Sequence, residues 1–225
     1  MADSGDFLVD GPERFPRVVL APGAGAPMDS PFMERVARGL AARGARVVRF
    51  EFPYMAAWRR GGRRGPPDAQ PVLRRHWLEV IERLGGGRDL VIGGKSLGGR
   101  MASLVADEAG ARGLLCLGYP FHPPGRPERL RTAHLADLAT PTLIVQGTRD
   151  TLGGREDVVG YRLSTAIRVE WIEDGDHSFE PTRRSCLTLD ESLERAIDLA
   201  STFVESLGDA PAPPGPSRHG NTLSG

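Results

Sequence analysis

Apolar residues follow two alternating patterns along this chain. Short continuous apolar runs, at 18–21 and 90–93, have the length of strands that are buried on both faces of a sheet. Between such runs, apolar residues recur every three or four positions, which is the spacing of one buried helix face. Strands that alternate with helices predict an α/β fold with a mostly parallel central sheet and helices on both faces. The other predicted strands are 46–52, 114–117, 142–146 and 168–172, and the predicted helices are 31–43, 73–84, 97–109 and 193–207.

Local sequence features predict where two helices begin and where one loop lies. Ser30 followed by Pro31 predicts an N-cap and a first helical turn. Thr188, with Glu191 three residues later, predicts a capping box ahead of the last helix. The segment 55–71 is rich in Arg, Gly and Pro, and this composition is typical of a loop.

Length and composition indicate one domain and exclude several classes of protein. A chain of 225 residues fits one α/β domain, and from residue 208 Pro, Gly and small polar residues dominate. We therefore predict a single domain over 1–207 and a disordered tail over 208–225. Lys plus Arg and Asp plus Glu both number 29, which gives no reason to expect a nucleic-acid partner or an acidic membrane.

The cysteine count and the hydropathy of the chain indicate the cellular compartment that we expect for the protein. Cys116 and Cys186 are too few for a disulfide framework and lack the spacing of metal ligands. This suits a reducing compartment, so we expect a cytoplasmic protein without a bound metal. No apolar run approaches the roughly 20 residues of a membrane-spanning helix, and the first residues have no signal-peptide pattern.

A G-x-S-x-G pattern at 94–98 lies between a predicted strand and a predicted helix. In that context it is typical of a nucleophile elbow, a turn so tight that Ser96 is forced to φ > 0 and its hydroxyl points away from the sheet. Gly94 and Gly98 suit the close approach of neighbouring backbone. The alternative is a glycine-rich turn without chemistry. A phosphate-binding loop is disfavoured because Asp89 stands where that motif requires glycine.

Two further candidates each follow a predicted strand. Asp150 comes after the strand at 142–146, and His177 comes after the strand at 168–172. The order Ser, Asp, His along the chain matches one known arrangement of a catalytic triad. We therefore predict Ser96 as nucleophile, His177 as its base and Asp150 as the group that orients the imidazole. The alternatives are the nearby acids Asp174 and Asp176 and the other histidines, His76, His122, His134 and His219.

An oxyanion hole requires backbone amides beside the nucleophile. We expect one donor to be the amide of Leu97, immediately after the nucleophile. The second is expected from the loop 22–26, where small residues let amides approach a ligand. Ala24 is the preferred donor and Gly25 the alternative, and an ordinary glycine turn is the interpretation without function.

Several neighbouring residues are candidates for supporting roles. Lys95 is the one lysine among 29 basic residues, and we hypothesise that its compact charge holds a carboxylate or carbonyl behind the elbow, although a lysine without a special role fits equally well. The basic run 58–64 is a candidate for binding an anionic substrate group, with a solvated loop as the alternative. Tyr54, Phe121 and Trp58 are candidates for an apolar acyl pocket or, equally, for core packing.

Six stretches within 18–180 together carry a resemblance to a known family. They are P-G-A-G at 22–25, F-P-Y-M at 52–55, G-K-S-L-G-G-R at 94–100, Y-P-F-H-P-P at 119–124, Q-G-T-R-D at 146–150 and G-D-H-S-F at 175–179. Their combination resembles the small α/β-hydrolases near dienelactone hydrolase. It is more similar to a dienelactone-hydrolase-like family that includes a testis-expressed protein and a subunit of a histone acetyltransferase complex. The resemblance implies an α/β-hydrolase fold without a large lid domain and Ser96, Asp150 and His177 as the triad.

Residues and resemblance together predict a serine hydrolase. It would cleave a small ester, thioester or lactone through an acyl-enzyme, without a metal or organic cofactor. Two alternatives belong to other classes, namely a binding or scaffold protein of the same fold and an enzyme that transfers the acyl group to another acceptor. The expected partner is thus a small-molecule ester, with neither nucleic acid nor membrane, and the sequence carries no signal for an oligomeric state.

Overall fold

A seven-stranded sheet forms the centre of the computed structural model, which describes residues 7–14 and 16–208. The strands are β1 (Phe7–Asp10), β2 (Arg17–Ala21), β3 (Arg46–Phe50), β4 (Leu90–Lys95), β5 (Gly113–Leu117), β6 (Thr142–Gly147) and β7 (Ile167–Ile172). Their spatial order is β1-β3-β2-β4-β5-β6-β7. All neighbours are parallel except β1 and β3, which are antiparallel. The predicted α/β fold with a mostly parallel sheet is confirmed.

Helices cover both faces of this sheet. Within the described ranges they are α1 (Pro31–Ala42), α2 (Pro53–Arg59), α3 (Gln70–Arg83), α4 (Leu97–Ser103), α5 (Arg155–Val158) and α6 (Leu189–Gly208). One buried cluster packs α1 and α6 against one face, and a second packs α2, α3 and α4 against the other.

The apolar runs of the sequence follow from this two-sided burial. In β2, Val18 and Leu20 belong to the cluster on the α1 and α6 side, whereas Val19 and Ala21 belong to the opposite cluster. Successive side chains of a strand point to opposite faces, so a strand covered on both sides must be apolar at every position. All four of these residues have no exposed surface.

Two predicted boundaries are corrected by the structure. The segment 55–71 is not all loop, because Pro53–Arg59 forms α2, with Pro at its first turn and buried Tyr54 and Met55. The helix predicted over 97–109 ends at Ser103, whose hydroxyl donates to the carbonyl of Arg100 at 2.7 Å and competes with helical hydrogen bonding.

The remaining differences lie at the ends of elements. Strand β1 was not predicted, because its four residues carry no alternation and it pairs only with the edge of the sheet. Ser30 occupies the N-cap position of α1, but its side chain makes no capping hydrogen bond. The capping box before α6 is confirmed, since the amide of Glu191 donates to the Thr188 hydroxyl at 3.2 Å and the amide of Thr188 donates to the Glu191 carboxylate at 2.8 Å.

Two further observations concern the termini and the membrane. The predicted tail over 208–225 lies outside the described residues, apart from Gly208, which ends α6. Among the helices of the described ranges, none is long and apolar enough to cross a bilayer.

Trp77 joins three elements of the core. Its ring is fully buried and lies 4.6 Å from that of Phe50 in an edge-on arrangement. Its indole N–H donates to the carbonyl of Gly98 at 3.3 Å.

We expect Trp77→Ala to lower the free energy of unfolding by about 3–5 kcal/mol, because it opens a large cavity. Val159→Ala, at a side chain that is 82% exposed, should change it by less than about 0.5 kcal/mol. Urea unfolding of both variants measures this, and similar losses would contradict the assigned core.

Candidate active site

The predicted site residues meet at one edge of the sheet. Ser96 follows β4, Asp150 follows β6 by three residues, and His177 follows β7 by five. The loop 22–26 follows β2, which is the neighbour of β4. Because parallel strands end at the same edge, their topology brings these loops together.

The turn at Ser96 has the strained backbone that the sequence predicted. Ser96 has φ +48° and ψ −111°, a conformation that side-chain-bearing residues rarely adopt. Gly94 has φ +145°, and an added Cβ there would lie 1.9 Å from the carbonyl oxygen of Ala21. At Gly98 an added Cβ would lie 2.2 Å from the same oxygen. Close packing of β2 against this turn therefore requires both glycines and holds Ser96 in place.

A continuous chain of hydrogen bonds links the three polar side chains. His177 Nε2 lies 2.8 Å from Ser96 Oγ, and His177 Nδ1 lies 2.7 Å from Asp150 Oδ2. An ionised carboxylate can only accept, so Nδ1 carries the proton in this arrangement and Nε2 is left to accept from the hydroxyl. This is the tautomer that a general base for Ser96 needs.

Asp150 is held by more than the imidazole. Its side chain has no exposed surface, Oδ2 also accepts from Gln146 Nε2 at 2.8 Å, and Oδ1 accepts from the amide of Leu152 at 2.8 Å. Gln146 further donates to the carbonyl of Tyr119 and accepts from its amide. Gln146 was not among the residues predicted from the sequence, although an uncharged polar residue at the end of an apolar strand, four positions before Asp150, was a usable signal.

Asp174 and Asp176, which precede His177, hydrogen-bond within its loop and do not orient its ring. Asp176 Oδ1 accepts from the amides of Ser178 and Glu180 at 2.7 and 3.0 Å. Asp174, which has φ +55°, accepts from Thr182 and forms an ion pair with Arg149. The hydrogen bond to Thr182 and the charge of Arg149 lower the pKa of Asp174.

Lys95 holds the backbone of the same loop. Its Nζ donates to the carbonyl of His177 at 2.6 Å and lies 5.4 Å from the centre of the Phe32 ring. The side chain is 8% exposed. Burial lowers its pKa to about 8 from the ordinary 10.5, while the charges of Asp150 and Asp176 oppose that shift. The ammonium thus holds the backbone of His177, while Asp150 holds its ring.

The amides considered for an oxyanion hole line the same cleft. Leu97 begins α4, so its amide is among those without an acceptor inside the helix. Ala24 and Gly25 also line the cleft beside Ser96. The Tyr54 hydroxyl donates to the carbonyl of Ala24 at 3.1 Å and thereby fixes the orientation of the loop 22–26.

The cleft over Ser96 has a volume of about 540 Å³ and an open mouth. Its apolar lining comes largely from Phe32, Met33 and Leu152 together with Leu97. Phe121 does not contribute, because it is fully buried against the Tyr119 ring and the backbone of Gly153. Tyr54 and Trp58 pack edge-on against each other at 5.0 Å and lie outside the lining as well.

The basic run 58–64 does not line the cleft either. Arg59 is paired with Glu51 at 2.7 Å and with Asp29 at 2.9 Å. The Arg64 guanidinium lies over the Trp58 ring at 5.7 Å. These contacts assign the run to structural and surface roles.

A second serine–histidine pair joins Ser103, at the end of α4, to His134. It differs from the pair of Ser96 and His177. Ser103 Oγ lies 2.8 Å from His134 Nε2 but donates its single proton to the carbonyl of Arg100 at 2.7 Å, so Nε2 must be the donor. Burial and the charges of Arg100 and Arg74 lower the pKa of His134 to about 4. Ser103 is 3% exposed and does not line the cleft. We therefore interpret this pair as a structural hydrogen bond.

The other histidines lie apart from the cleft. His76 Nε2 contacts the carbonyl of Glu51, and His122 Nδ1 contacts the carbonyl of Pro123, both at 3.0 Å. His219 falls outside the described residues. Across the described ranges, no group of three or more His, Cys, Asp or Glu side chains is arranged to hold a metal ion.

Comparisons with known proteins agree with this architecture. A family model described as an alpha/beta hydrolase domain matches residues 14–205. An alpha-beta serine hydrolase homologue from Coxiella burnetii superposes with a TM-score of 0.63 at 20% identity, over 89% of this chain and 90% of that chain. Dienelactone hydrolase from Anabaena variabilis gives 0.64 at 21%, over 89% and 90%. A Xanthomonas campestris protein described as an a/b serine hydrolase without lid gives 0.58 at 22%, over 93% and 91%. These similarities show the fold, and within residues 7–14 and 16–208 the elements form no large lid domain.

The close packing of the turn at Ser96 can be tested by substituting two glycines. In Gly98→Ala the new Cβ would meet the Ala21 carbonyl oxygen, so we expect a loss of at least about 2 kcal/mol in the free energy of unfolding. Gly25→Ala is the matched control, because no atom lies within 4 Å of its added Cβ, and it should change stability by less than about 0.5 kcal/mol. Chemical unfolding compares them, and equal stabilities would contradict the close packing.

The buried ammonium of Lys95 should appear in the pH dependence of stability. Between pH 8 and 10.5 the folded state has lost a proton that the unfolded chain still binds, so stability rises with pH in that window. Relative to Lys95→Met, the free energy of unfolding of the wild type should increase by on the order of 1–3 kcal/mol between pH 7 and pH 10. Unfolding at successive pH values measures this, and a constant difference would show that the pKa of Lys95 is not lowered.

Proposed function

This chain belongs to the alpha/beta hydrolase domain family, and from that membership we propose that it is a serine hydrolase that cleaves an ester, thioester or lactone. The observation that carries the proposal is the unbroken hydrogen-bonded chain from Asp150 through His177 to Ser96, at a strained turn that opens into a cleft. A merely structural serine has no need of a buried carboxylate, an oriented imidazole and a strained backbone together.

The geometry supports acyl-enzyme chemistry in two halves. In the first, Ser96 Oγ attacks the carbonyl carbon while His177 Nε2 takes the hydroxyl proton. The oxyanion that forms accepts from the amides of Leu97 and Ala24, with Gly25 as the alternative second donor. His177 then gives the proton to the leaving oxygen or sulfur, and the bond to the leaving group breaks. In the second half, His177 takes a proton from water, and the resulting hydroxide attacks the acyl carbon. His177 then returns the proton to Ser96 Oγ as the acyl–Oγ bond breaks and the acid leaves.

Asp150 acts in this scheme through orientation and charge. It keeps the proton on Nδ1 and stabilises the imidazolium that forms when Ser96 is deprotonated. The additional donors on its two oxygens, Gln146 and the Leu152 amide, hold the carboxylate in one position. Lys95 fixes the backbone of His177, so both ends of that residue are restrained.

The open cleft favours a small substrate. A volume of about 540 Å³ lies within the range of small-molecule sites, and its apolar lining beside Ser96 can take a short acyl group. We propose no metal or organic cofactor, because the side chains of this scheme supply every proton transfer. Cys116 and Cys186 are free thiols, which supports a cytoplasmic location. The sequence stretches at 22–25, 94–100 and 146–150 support closer kinship to the dienelactone-hydrolase-like family named above.

A fluorophosphonate probe tests the proposal with two serine variants. Wild type and Ser103→Ala should be labelled, because the activated hydroxyl is that of Ser96 and not the one bonded to His134. Ser96→Ala should lose labelling by at least 100-fold while its circular dichroism and melting temperature show a folded protein. Labelling is read by gel fluorescence and the modified peptide by mass spectrometry.

Two results would overturn the proposal. Undiminished labelling of Ser96→Ala would place the reactive serine elsewhere. A folded wild type that resists the probe would favour a binding or scaffold protein of this fold. Acyl transfer is distinguished by adding alcohols or amines to the reaction and analysing the products.

A further inference from the structure

The wall of the cleft beyond the elbow is cationic. Arg100, Arg131 and Lys95 all line it, and no Asp or Glu appears among its lining residues in the described part of the chain. Lys95 is already engaged by the carbonyl of His177. The two guanidinium groups therefore remain for a ligand.

Arg100 lies one helical turn after Ser96 on the same helix. Four residues of α4 correspond to a rise of about 6 Å, so its side chain begins beside the nucleophile. Its Nη2 donates to the neutral amide oxygen of Gln70 at 3.1 Å, and its Nε is buried without a hydrogen-bond partner. The one hydrogen bond of this guanidinium in the described residues therefore goes to an uncharged acceptor, which leaves its positive charge unbalanced.

Arg131 faces the same space from the chain that follows β5. Its backbone is fixed, because its amide donates to the carbonyl of Phe121 at 2.7 Å and its carbonyl accepts from the Tyr119 hydroxyl at 3.2 Å. No carboxylate pairs with the guanidinium of Arg131 or of Arg100 among the described residues. The protein therefore positions both groups without neutralising them.

Three other arginines of the chain are neutralised by carboxylates. Arg43 pairs with Glu194 and Asp198, Arg49 with Asp10, and Arg59 with Glu51 and Asp29. A chain with equal numbers of acidic and basic residues has carboxylates enough to neutralise two more guanidinium groups. Their absence from the cleft leaves a local excess of positive charge.

The charges of Arg100 and Arg131 also favour an anionic ligand between them. Burial lowers the pKa of Arg100, and burial together with the charges of Arg100 and Arg129 lowers the pKa of Arg131. The two cations thus repel each other in a partly desolvated place, and an anion between them would relieve both effects. A groove of about 670 Å³ continues from Arg100 and Arg131 past Arg126 and Arg129, with Glu128 as its one acidic lining residue in the described ranges.

We propose that Arg100 and Arg131 together bind an anionic group carried by the substrate, so that the enzyme prefers esters or thioesters that bear a carboxylate or phosphate. This inference rests on the proposed hydrolase function and adds the substrate class to it. Planar guanidinium groups suit both anions, because they bind the oxygens of either in a bidentate manner. The anion would lie on the α4 side of Ser96, with the scissile carbonyl over the oxyanion-hole amides.

The kinetic test uses two substrates of nearly equal size, 4-nitrophenyl hydrogen glutarate and 4-nitrophenyl methyl glutarate. The wild type should favour the acid over its methyl ester by at least tenfold in kcat/KM, and raised salt should reduce that ratio. Arg131→Gln and Arg100→Gln should each lower the ratio about tenfold. Arg162→Gln is the matched control, because this exposed arginine lines neither cavity and should leave the ratio unchanged. A wild-type ratio near one, with hydrolysis of both esters, overturns the anion site and leaves the proposed function standing.

A binding test works without turnover and separates the two proposals. Ser96→Ala is titrated by calorimetry with monomethyl glutarate, with dimethyl glutarate and with phenyl phosphate. We expect the monoester to bind at least tenfold more tightly than the diester, and Arg131→Gln in the Ser96→Ala background to abolish the difference. Equal affinities overturn the inference even if the wild type proves to be a hydrolase. A preference that persists in a protein without hydrolase activity supports the anion site alone. Whichever of monomethyl glutarate and phenyl phosphate binds more tightly identifies the preferred anion as a carboxylate or a phosphate.

Discussion

The site depends on how closely the turn after β4 approaches the carbonyl of Ala21. Gly94 and Gly98 leave only enough room for that oxygen, and the same contact keeps Ser96 at a positive φ that it would not adopt alone. The strain is local, but packing on both faces of the sheet sustains it, because β2 and β4 are buried neighbours. Strand order then brings Asp150, His177 and the loop 22–26 to the same edge.

Around that turn, buried polar groups restrain His177 at its ring and at its backbone. The carboxylate of Asp150 holds Nδ1 and is itself held by Gln146 and an amide, while Lys95 holds the carbonyl of the same histidine. A buried ammonium is costly unless it is hydrogen-bonded, so its position next to the nucleophile indicates that the structure needs the tether. A neutral amine could make the same contact only as a weaker donor.

Charge is distributed unevenly in a chain whose net charge is zero. In the conspicuous arginine run at 58–64, Arg59 is neutralised by two carboxylates, and none of the run lines the cleft over Ser96. Arg100 and Arg131, 31 positions apart in sequence, meet at the cleft over Ser96, and no acidic residue of the described ranges lines that cleft. A formal balance over the whole chain therefore says little about the potential inside one cleft.

Local sequence patterns were sufficient to predict the sheet, the main helices and Ser96, Asp150 and His177 as candidates, because burial on both faces and a tight strand–helix turn leave such patterns. It did not reveal β1, α2 or the early end of α4, whose boundaries depend on edge pairing and on single side-chain contacts. The residues that share the cleft became evident from the folded arrangement of the chain. It placed Phe121 in the core, Gln146 on Asp150 and the two arginines together. The physical reason is that periodicity records whether a residue is buried, whereas contacts between distant residues depend on strand order and loop path.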